Sequence, residues 1–422
     1  MSVLISHPSV APFVQQAARA LLEQGELDRF ITSVRFDPTS TVQRLLCAAS
    51  RTLGLSFEAQ LKRRSVTEIP LSNIESHPWG EIARHFSSYL DRSGRLTDLV
   101  WERTEAAFDR IVARRVRASH SAVYGFEYCS LATFTRAHEL GVRIVYDMPA
   151  PEPRYVQGLL DAEISRFPEL QTPLYHHTVL REGRRIARRR AEWNASDLVI
   201  AASRFTRDSF AHAGLSIDKV RVVPYGAPPT VISADALQGH GSDHVPLRLI
   251  WAGTFSIRKG AHYLLEAWRK GNLGRYAHLK VFGTQSLPDR LLRPAPDNID
   301  FAGSVPRSAL MEQYRTSDAL IFPTLCDGFG MVVTEAWSQG LPVITTDRAG
   351  AAELMQPLRN GLLIKAASSD AIGSALEWCV DHRKELRAMR ESALATAAGW
   401  QWGDYRKMLA SVLREEGMFS RP

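Results

Sequence analysis

The sequence predicts an α/β protein built on two parallel sheets of similar size, joined by a linker. Three observations predict it. Short runs rich in Val, Ile, Leu and Phe alternate with longer helical stretches, the pattern of parallel strands joined by crossover helices. The alternation breaks at residues 226–246, where Gly, Ala, Pro, Ser, Asp and His leave no apolar period, and then restarts. No short-period repeat or low-complexity tract interrupts either half.

The elements follow in order. Residues 3–6 form the first expected strand, and residues 14–24 its helix, ended by Gly25. Residues 41–118 read mostly as helix, with many Arg and a broken apolar period. Strands are expected at 122–126 and 143–146, around a helix near 130–140. Another is expected at 197–201, with Ser203 placed to cap the following helix, and 220–224 closes the series. Beyond the linker, strands are expected at 247–252, 279–282, 299–301, 319–322, 341–345 and 361–364. Two such sheets leave a cleft between them. Trp400, Trp402, Tyr405 and Leu409 read as a final amphipathic helix.

Composition removes several classes of function. With 45% hydrophobic and 23% charged residues in 422, the chain suits a packed core and excludes wholesale disorder. The net charge of +7 is spread evenly over both halves, which gives little support for a nucleic-acid partner. Cys47, Cys129, Cys326 and Cys379 lie far apart, without zinc or disulfide-scaffold spacing, so reduced thiols and a cytoplasmic setting are expected. No apolar run approaches the ~20 residues that span a bilayer. The N-terminus lacks the basic and apolar regions of a signal peptide.

Residues 318–351 carry the most chemistry. A strand ends at Pro323, a polar loop follows, and a helix starts near Gly330; Gly340 and Pro342 stop it. Gly328 and Gly330 let backbone approach a ligand, and the positive end of the helix dipole favours a phosphate there. Asp327 on the loop and Glu335 inside the helix would reach different parts of one ligand, and carboxylates suit sugar hydroxyls. An ordinary strand–loop–helix unit fits the spacing equally well. The dinucleotide fingerprint fails because Val333 stands where a third glycine is required, and no phosphate-loop motif exists, since Gly260 and Ala261 follow Lys259.

Asp327-x7-Glu335, with Gly-Phe-Gly inside it and Glu-Ala-Trp-Ser-Gln-Gly-Leu-Pro-Val-Ile after it, resembles the E-x7-E region of retaining glycosyltransferases of family 4. Residues 194–203, 223–227, 251–266, 298–306 and 360–364 resemble further segments of that family in the same order. The resemblance is continuous from about 194 to 400 and weaker over 1–150. It implies a GT-B architecture, two Rossmann-like domains facing an interdomain cleft, with the C-terminal helix crossing back onto the first. The implied division is an acceptor-binding domain over 1–225, a linker over 226–246, a nucleotide-sugar-binding domain over 247–395 and a terminal helix over 396–422. The implied donor is a UDP- or GDP-sugar used as substrate, with no separate cofactor.

By the same resemblance, Asp327 contacts donor-sugar hydroxyls, one methylene shorter than the family's usual Glu. Glu335 contacts the ribose. Backbone at Gly328, Phe329, Gly330 and Met331 sits by the sugar and pyrophosphate, and Gly283, Thr284 and Val305 by the base. The family's phosphate-binding Lys maps to Lys259. Its partner Arg is replaced by Thr254, and Arg258 is expected to supply the missing charge. No Asp-x-Asp metal motif is present, so Lys259, Arg258 and a helix N-terminus are expected to stabilise the leaving diphosphate without a metal.

In the first half, His7, Glu127 and Asp147 each follow an apolar run, where ligands of open α/β sheets gather. Turn or capping roles fit each singly. Glu127, where many family members have His, is the candidate for acceptor orientation. The basic runs are 62–64, 114–117 and 181–190, the last with six Arg in ten positions, of which 181, 184, 185 and 188 fall on one helical face. A solvated face is the bland reading and contact with anionic lipid, at the inner face of the membrane, the sharper one. The expected activity is sugar transfer to a glycan or lipid-linked acceptor in cell-surface polysaccharide or lipopolysaccharide assembly. The rivals are a nucleotide-sugar-binding protein without transferase activity and a sugar epimerase of the same fold.

Overall fold

A parallel strand covered on both faces must be apolar along its whole length, and most strands here meet that condition. The computed structural model describes residues 2–36, 65–91, 93–230 and 246–419, together with 43, 44 and 48. Cys47, the basic run at 62–64 and most of the expected linker lie outside the described residues.

The first sheet starts with β1 (Val3–Ser6), fully buried, and α1 (Pro12–Glu23), whose opening proline needs no donor at that position. There follow β2 (Leu27–Thr32), β3 (Ile74–Ser76), α2 (Trp79–Leu90), α3 (Arg95–Ala113), β4 (Ala122–Phe126), α4 (Leu131–Glu139) and β5 (Arg143–Met148). Two long helices, α5 (Pro153–Arg166) and α6 (Pro173–Ala195), precede β6 (Leu198–Ala201), α7 (Arg204–His212) and β7 (Val220–Val222). The strand order is β3-β2-β1-β4-β5-β6-β7, parallel throughout. Two strands escape the sequence reading. Asp28 and Arg29 interrupt the apolar run of β2, and β3 is a three-residue edge strand inside a stretch expected to be helical. The Ser203 hydroxyl caps α7 by accepting the Thr206 N–H, as expected.

The second sheet comprises β8 (Leu247–Ala252), β9 (Ala277–Phe282), β10 (Ile299–Gly303), β11 (Ala319–Phe322), β12 (Val343–Thr346) and β13 (Gly361–Ile364), in order β10-β9-β8-β11-β12-β13. All its pairs are parallel. Its helices include α8 (Ala261–Lys270), α9 (Asp289–Leu292), α10 (Arg307–Thr316), α11 (Met331–Ser338), α12 (Ser369–Asp381) and α13 (Arg383–Gly399). β12 starts two residues later than expected, because Gly340, at φ +66°, ends α11 and the next two residues complete the turn. Two Rossmann-like α/β domains result.

The domains share apolar contacts. Tyr225 stacks on Phe13 of α1 at 5.1 Å and also meets Phe329 of the second domain. The terminal helix α14 (Trp402–Glu415) opens with a capping box between Gln401 and Asp404. It crosses back onto α1, where Arg406 pairs with Glu23 at 2.9 Å and bonds Gln16 at 2.6 Å. Cys129, Cys326 and Cys379 are buried free thiols. Among the described residues, no helix is long and apolar enough to cross a membrane.

Candidate active site

The carboxyl ends of the second domain's strands converge on one loop, residues 323–330, between β11 and α11. It is held from both sides. The Leu325 N–H donates to the Arg258 carbonyl (2.9 Å) and the Arg258 guanidinium to the Cys326 carbonyl (2.8 Å). From the other side, the Thr346 hydroxyl donates to the Thr324 carbonyl (2.6 Å) and the Asp327 N–H to the Arg348 carbonyl (3.0 Å). The loop turns into α11 through Gly330, at φ +82°, a left-handed conformation that glycine adopts freely. The first turn of α11 leaves the N–H groups of Met331 and Val332 outside the helical ladder.

Two ion pairs define the chemistry. Lys259 is in contact with the Asp327 carboxylate and lies over the Phe322 ring at 4.7 Å. Burial, then the adjacent Arg258, pushes the Lys259 ammonium well below the ordinary lysine range, and the neighbouring Cys326 opposes that shift. Glu335, deep in α11, pairs with Arg307 at 2.8 Å. Burial raises its carboxyl and Arg307 pulls it back. Arg307 is a site residue that the motif reading missed, although it directly follows the 298–306 segment that carried part of the resemblance.

Strand ends β8 and β9 form the next wall. Gly283, at φ +133°, lies so close to Gly253 that a Cβ on it would come within 2.2 Å of the Gly253 carbonyl oxygen. The Thr254 and Thr284 hydroxyls face each other at 3.4 Å. Thr254 thus stands at the expected place without a positive charge, and Arg258 stands beside Lys259. Val305 is half-buried on the loop between β10 and α10.

The two domains meet at the Gly-rich loop. The Gly328 carbonyl accepts bonds from Ser203 (2.5 Å) and Thr206 (3.0 Å) at the start of α7. The Glu353 carboxylate accepts the N–H groups of Arg204 and Phe205 at the same helix end. These contacts between domains were not legible in the sequence.

From the first domain, Glu127 at the end of β4 pairs with Arg189 of α6 at 2.5 Å. Burial lowers the Arg258 guanidinium, and the Glu127 carboxylate is among the charges close enough to oppose this. Arg258, Lys259 and Asp327 thus lie together, and Glu127 of the first domain is within electrostatic reach of Arg258. Next to Glu127, a cavity of about 450 Å³ is lined by His7, Arg84, Trp101, Glu105 and Tyr128. Tyr128 is held at φ +72°, a conformation uncommon for a bulky residue. The buried Glu192 fixes it by accepting the N–H groups of Tyr128 (2.7 Å) and Ser130 (3.0 Å).

Two sequence expectations need correction. Asp147 does not border the cleft: it is fully buried and accepts the Tyr124 hydroxyl at 2.6 Å. The Arg face of α6 is not solvated. Arg181 and Arg185 pair with Asp98, Arg188 with Asp109, Arg189 with Glu127 and Arg190 with Glu152, leaving Arg184 exposed. The run binds helix to helix inside the first domain.

Burial pushes the Asp147 carboxyl from 3.8 up to about 7, and the Tyr124 hydroxyl only partly offsets this. Between these values the folded state holds a proton that the unfolded chain has lost, so stability falls as pH rises through this window. Asp147→Asn should remove that part of the fall, saving roughly 2–3 kcal/mol between about pH 5 and pH 8. Urea titrations of both proteins across the range measure it. Parallel pH curves would refute the assignment.

Residues 235–395 match the family model described as glycosyl transferases group 1. A D-inositol 3-phosphate glycosyltransferase from Nocardia farcinica is 30% identical over 120 residues, 27% of this chain and 27% of that relative. The enzyme of the same description from Paenarthrobacter aurescens is 25% identical over 283 residues, 59% of this chain and 68% of the relative. The first of these alignments thus spans about a quarter of the relative's length. Among solved structures, Anabaena HepE in complex with UDP-glucose superposes with a TM-score of 0.61 at 15% identity, covering 98% of this chain and 100% of that one. That likeness shows the fold, which is GT-B.

Proposed function

We propose that the protein is a retaining glycosyltransferase that moves a sugar from a nucleotide-sugar donor to a glycan or lipid-linked acceptor, in cell-surface polysaccharide or lipopolysaccharide assembly. The observation that carries the reading is the meeting of Lys259, Asp327 and the start of α11 at the strand ends, with Glu335 one turn further in. The match of residues 235–395 to the group 1 model and the UDP-sugar complex of a structural neighbour support it.

In this reading the donor diphosphate lies against the first turn of α11, and Lys259 and Arg258 offset the negative charge that grows as it leaves. Asp327 orients the donor sugar while holding Lys259. Glu335, fixed by Arg307, takes the ribose hydroxyls. The acceptor enters beside Glu127, and its hydroxyl attacks the face the diphosphate vacates, the departing phosphate accepting the proton. No metal is assigned a role.

A thermal-shift screen with UDP, GDP and ADP and their sugars tests the donor site, since ligand that binds only the folded state stabilises it as RT ln(1 + [L]/Kd). One nucleotide class should raise the melting temperature of the wild type. Glu335→Ala should weaken that shift by a factor of about 10 or more in affinity, because a charge-assisted hydrogen bond contributes about 1.5–3 kcal/mol. An unchanged shift in the variant would remove Glu335 from the donor site. A donor that binds but is never consumed would favour the binding-protein alternative.

A further inference from the structure

Among the described residues, large apolar side chains left in solvent gather on one part of the first domain. Helix α2 exposes Trp79 (79%), Ile82 (44%), Phe86 (65%) and Leu90 (67%). With Ala83, these positions recur at three- and four-residue intervals and form one face of the helix, with no charged residue on it. Leu96, at the start of α3, is also exposed, as is Leu180 on α6. His177 bonds Asp98 of α3 at 3.1 Å, which fixes this part of α6 against the α2–α3 turn. Single exposed apolar residues are ordinary; a contiguous ridge marks an interaction surface.

The exposed charges beside the ridge are mainly basic: Asp91, just after Leu90, accepts from Ser93 and Thr97, and Glu81 of α2 pairs with Arg84. On α3, Asp98, Glu102 and Asp109 face α6, where Arg185, Arg181 and Arg188 neutralise them. Arg103, Arg110 and Arg114 occupy the other side of α3, are exposed, and make no ion pair among the described residues. Gly80 of α2 packs against Thr104, so the two helices run side by side. A second copy of this chain would have to bring like-charged arginines together around the ridge. An anionic lipid surface satisfies both features, taking the apolar side chains among the acyl chains and the arginines among phosphate headgroups.

We propose that the α2–α3 face docks on an anionic bilayer. The inner sides of the same helices supply Arg84, Trp101 and Glu105 to the cavity beside Glu127. Docking would hold that cavity at the membrane, and, on the glycosyltransferase reading, makes the acceptor an amphiphile with its polar end in the cavity. That corollary rests on the proposed function; the docking does not.

Flotation of the full chain with vesicles of phosphatidylcholine plus phosphatidylglycerol, and of phosphatidylcholine alone, tests it without turnover. The wild type should float with the mixed vesicles and not with the neutral ones. Trp79→Ser/Phe86→Ser/Leu90→Ser should stay in solution, and Arg103→Gln/Arg110→Gln/Arg114→Gln should lose about fivefold in partition per arginine, with binding weakened by salt. Arg184→Gln should float like the wild type. Because the changed side chains are exposed, melting temperature and donor-induced stabilisation should be those of the wild type. That separates failure of docking from failure of the donor site. Equal partition of wild type and both triple variants overturns the proposal. So does a wild type that ignores the vesicles but forms a dimer that the apolar variant abolishes, since the face would then be covered by a second copy.

Discussion

Lys259→Ala lowers kcat/KM for sugar transfer by about 10²–10³-fold, the loss found when one preorganised donor to a developing negative charge is removed, roughly 2.7–4 kcal/mol. Lys259 is the cation that the loop geometry holds most tightly. It is pinned between the Asp327 carboxylate and the Phe322 ring, while the neighbouring Arg258 is partly committed to the Cys326 carbonyl. A lysine with that little freedom arrives at the transition state already oriented. The same burial gives the substitution a second effect. Asp327 is left in a mostly enclosed place with only Arg258, 4.0 Å away, as counterion, and the loss of its closer partner costs stability up to the roughly 3–5 kcal/mol of a broken buried pair. Lys259→Ala/Asp327→Asn separates the two effects: stability should recover and transfer should not. Initial-rate kinetics and denaturant unfolding on the single and double variants measure them. A single variant within threefold of wild-type kcat/KM would dismiss Lys259 from catalysis.

Gly328→Ala lowers both stability and transfer, through backbone that cannot give way. A Cβ at this position would come 1.9 Å from the Pro149 carbonyl oxygen and 2.8 Å from its carbon, both on the first domain. Relief requires the loop and the first domain to part, which also strains the bonds that Ser203 and Thr206 donate to the Gly328 carbonyl. Overpacking of this kind costs about 3 kcal/mol or more. The donor loop moves with the seam, so transfer should fall at least tenfold even below the melting transition. Gly158→Ala is the control: it lies on exposed α5 with nothing within 4 Å of the added Cβ, and gains up to about 1 kcal/mol from helix propensity. If Gly328→Ala melts and reacts like Gly158→Ala, the seam is not what holds the loop.

Much of the fold was legible because the buried strands declare themselves. β11 and β13 begin and end where the apolar runs do, and Gly340 with Pro342 marks the end of α11. The exceptions have physical reasons. β2 hides behind Asp28 and Arg29, and β3 gains its strand geometry from pairing with β2, a contact made only by tertiary structure. In the candidate site, loop residues Gly328 and Gly330 and the carboxylates Asp327 and Glu335 were readable from spacing and resemblance. Arg307, Glu192 and Ser203 on Gly328 were not, since each acts across a long sequence separation. The Arg run of α6 was misread for the same reason. Helical spacing showed that its arginines share a face, but the carboxylates they meet lie mainly on α3, some 80 residues earlier.

The return of α14 to α1 bears on how the chain comes to be folded. The first domain is assembled from segments on either side of the second, and Tyr405, Leu409 and Leu413 complete a core that also holds Val3 and Ile5. A nascent chain emerging from the ribosome can form the first sheet early, yet one side of α1 stays uncovered until α14 has been translated. During that interval the apolar face of α1 lacks its partner, and the whole second domain is translated before the first can be finished. The arrival of α14 at α1, and not the completion of either sheet, is then the event that closes the first domain.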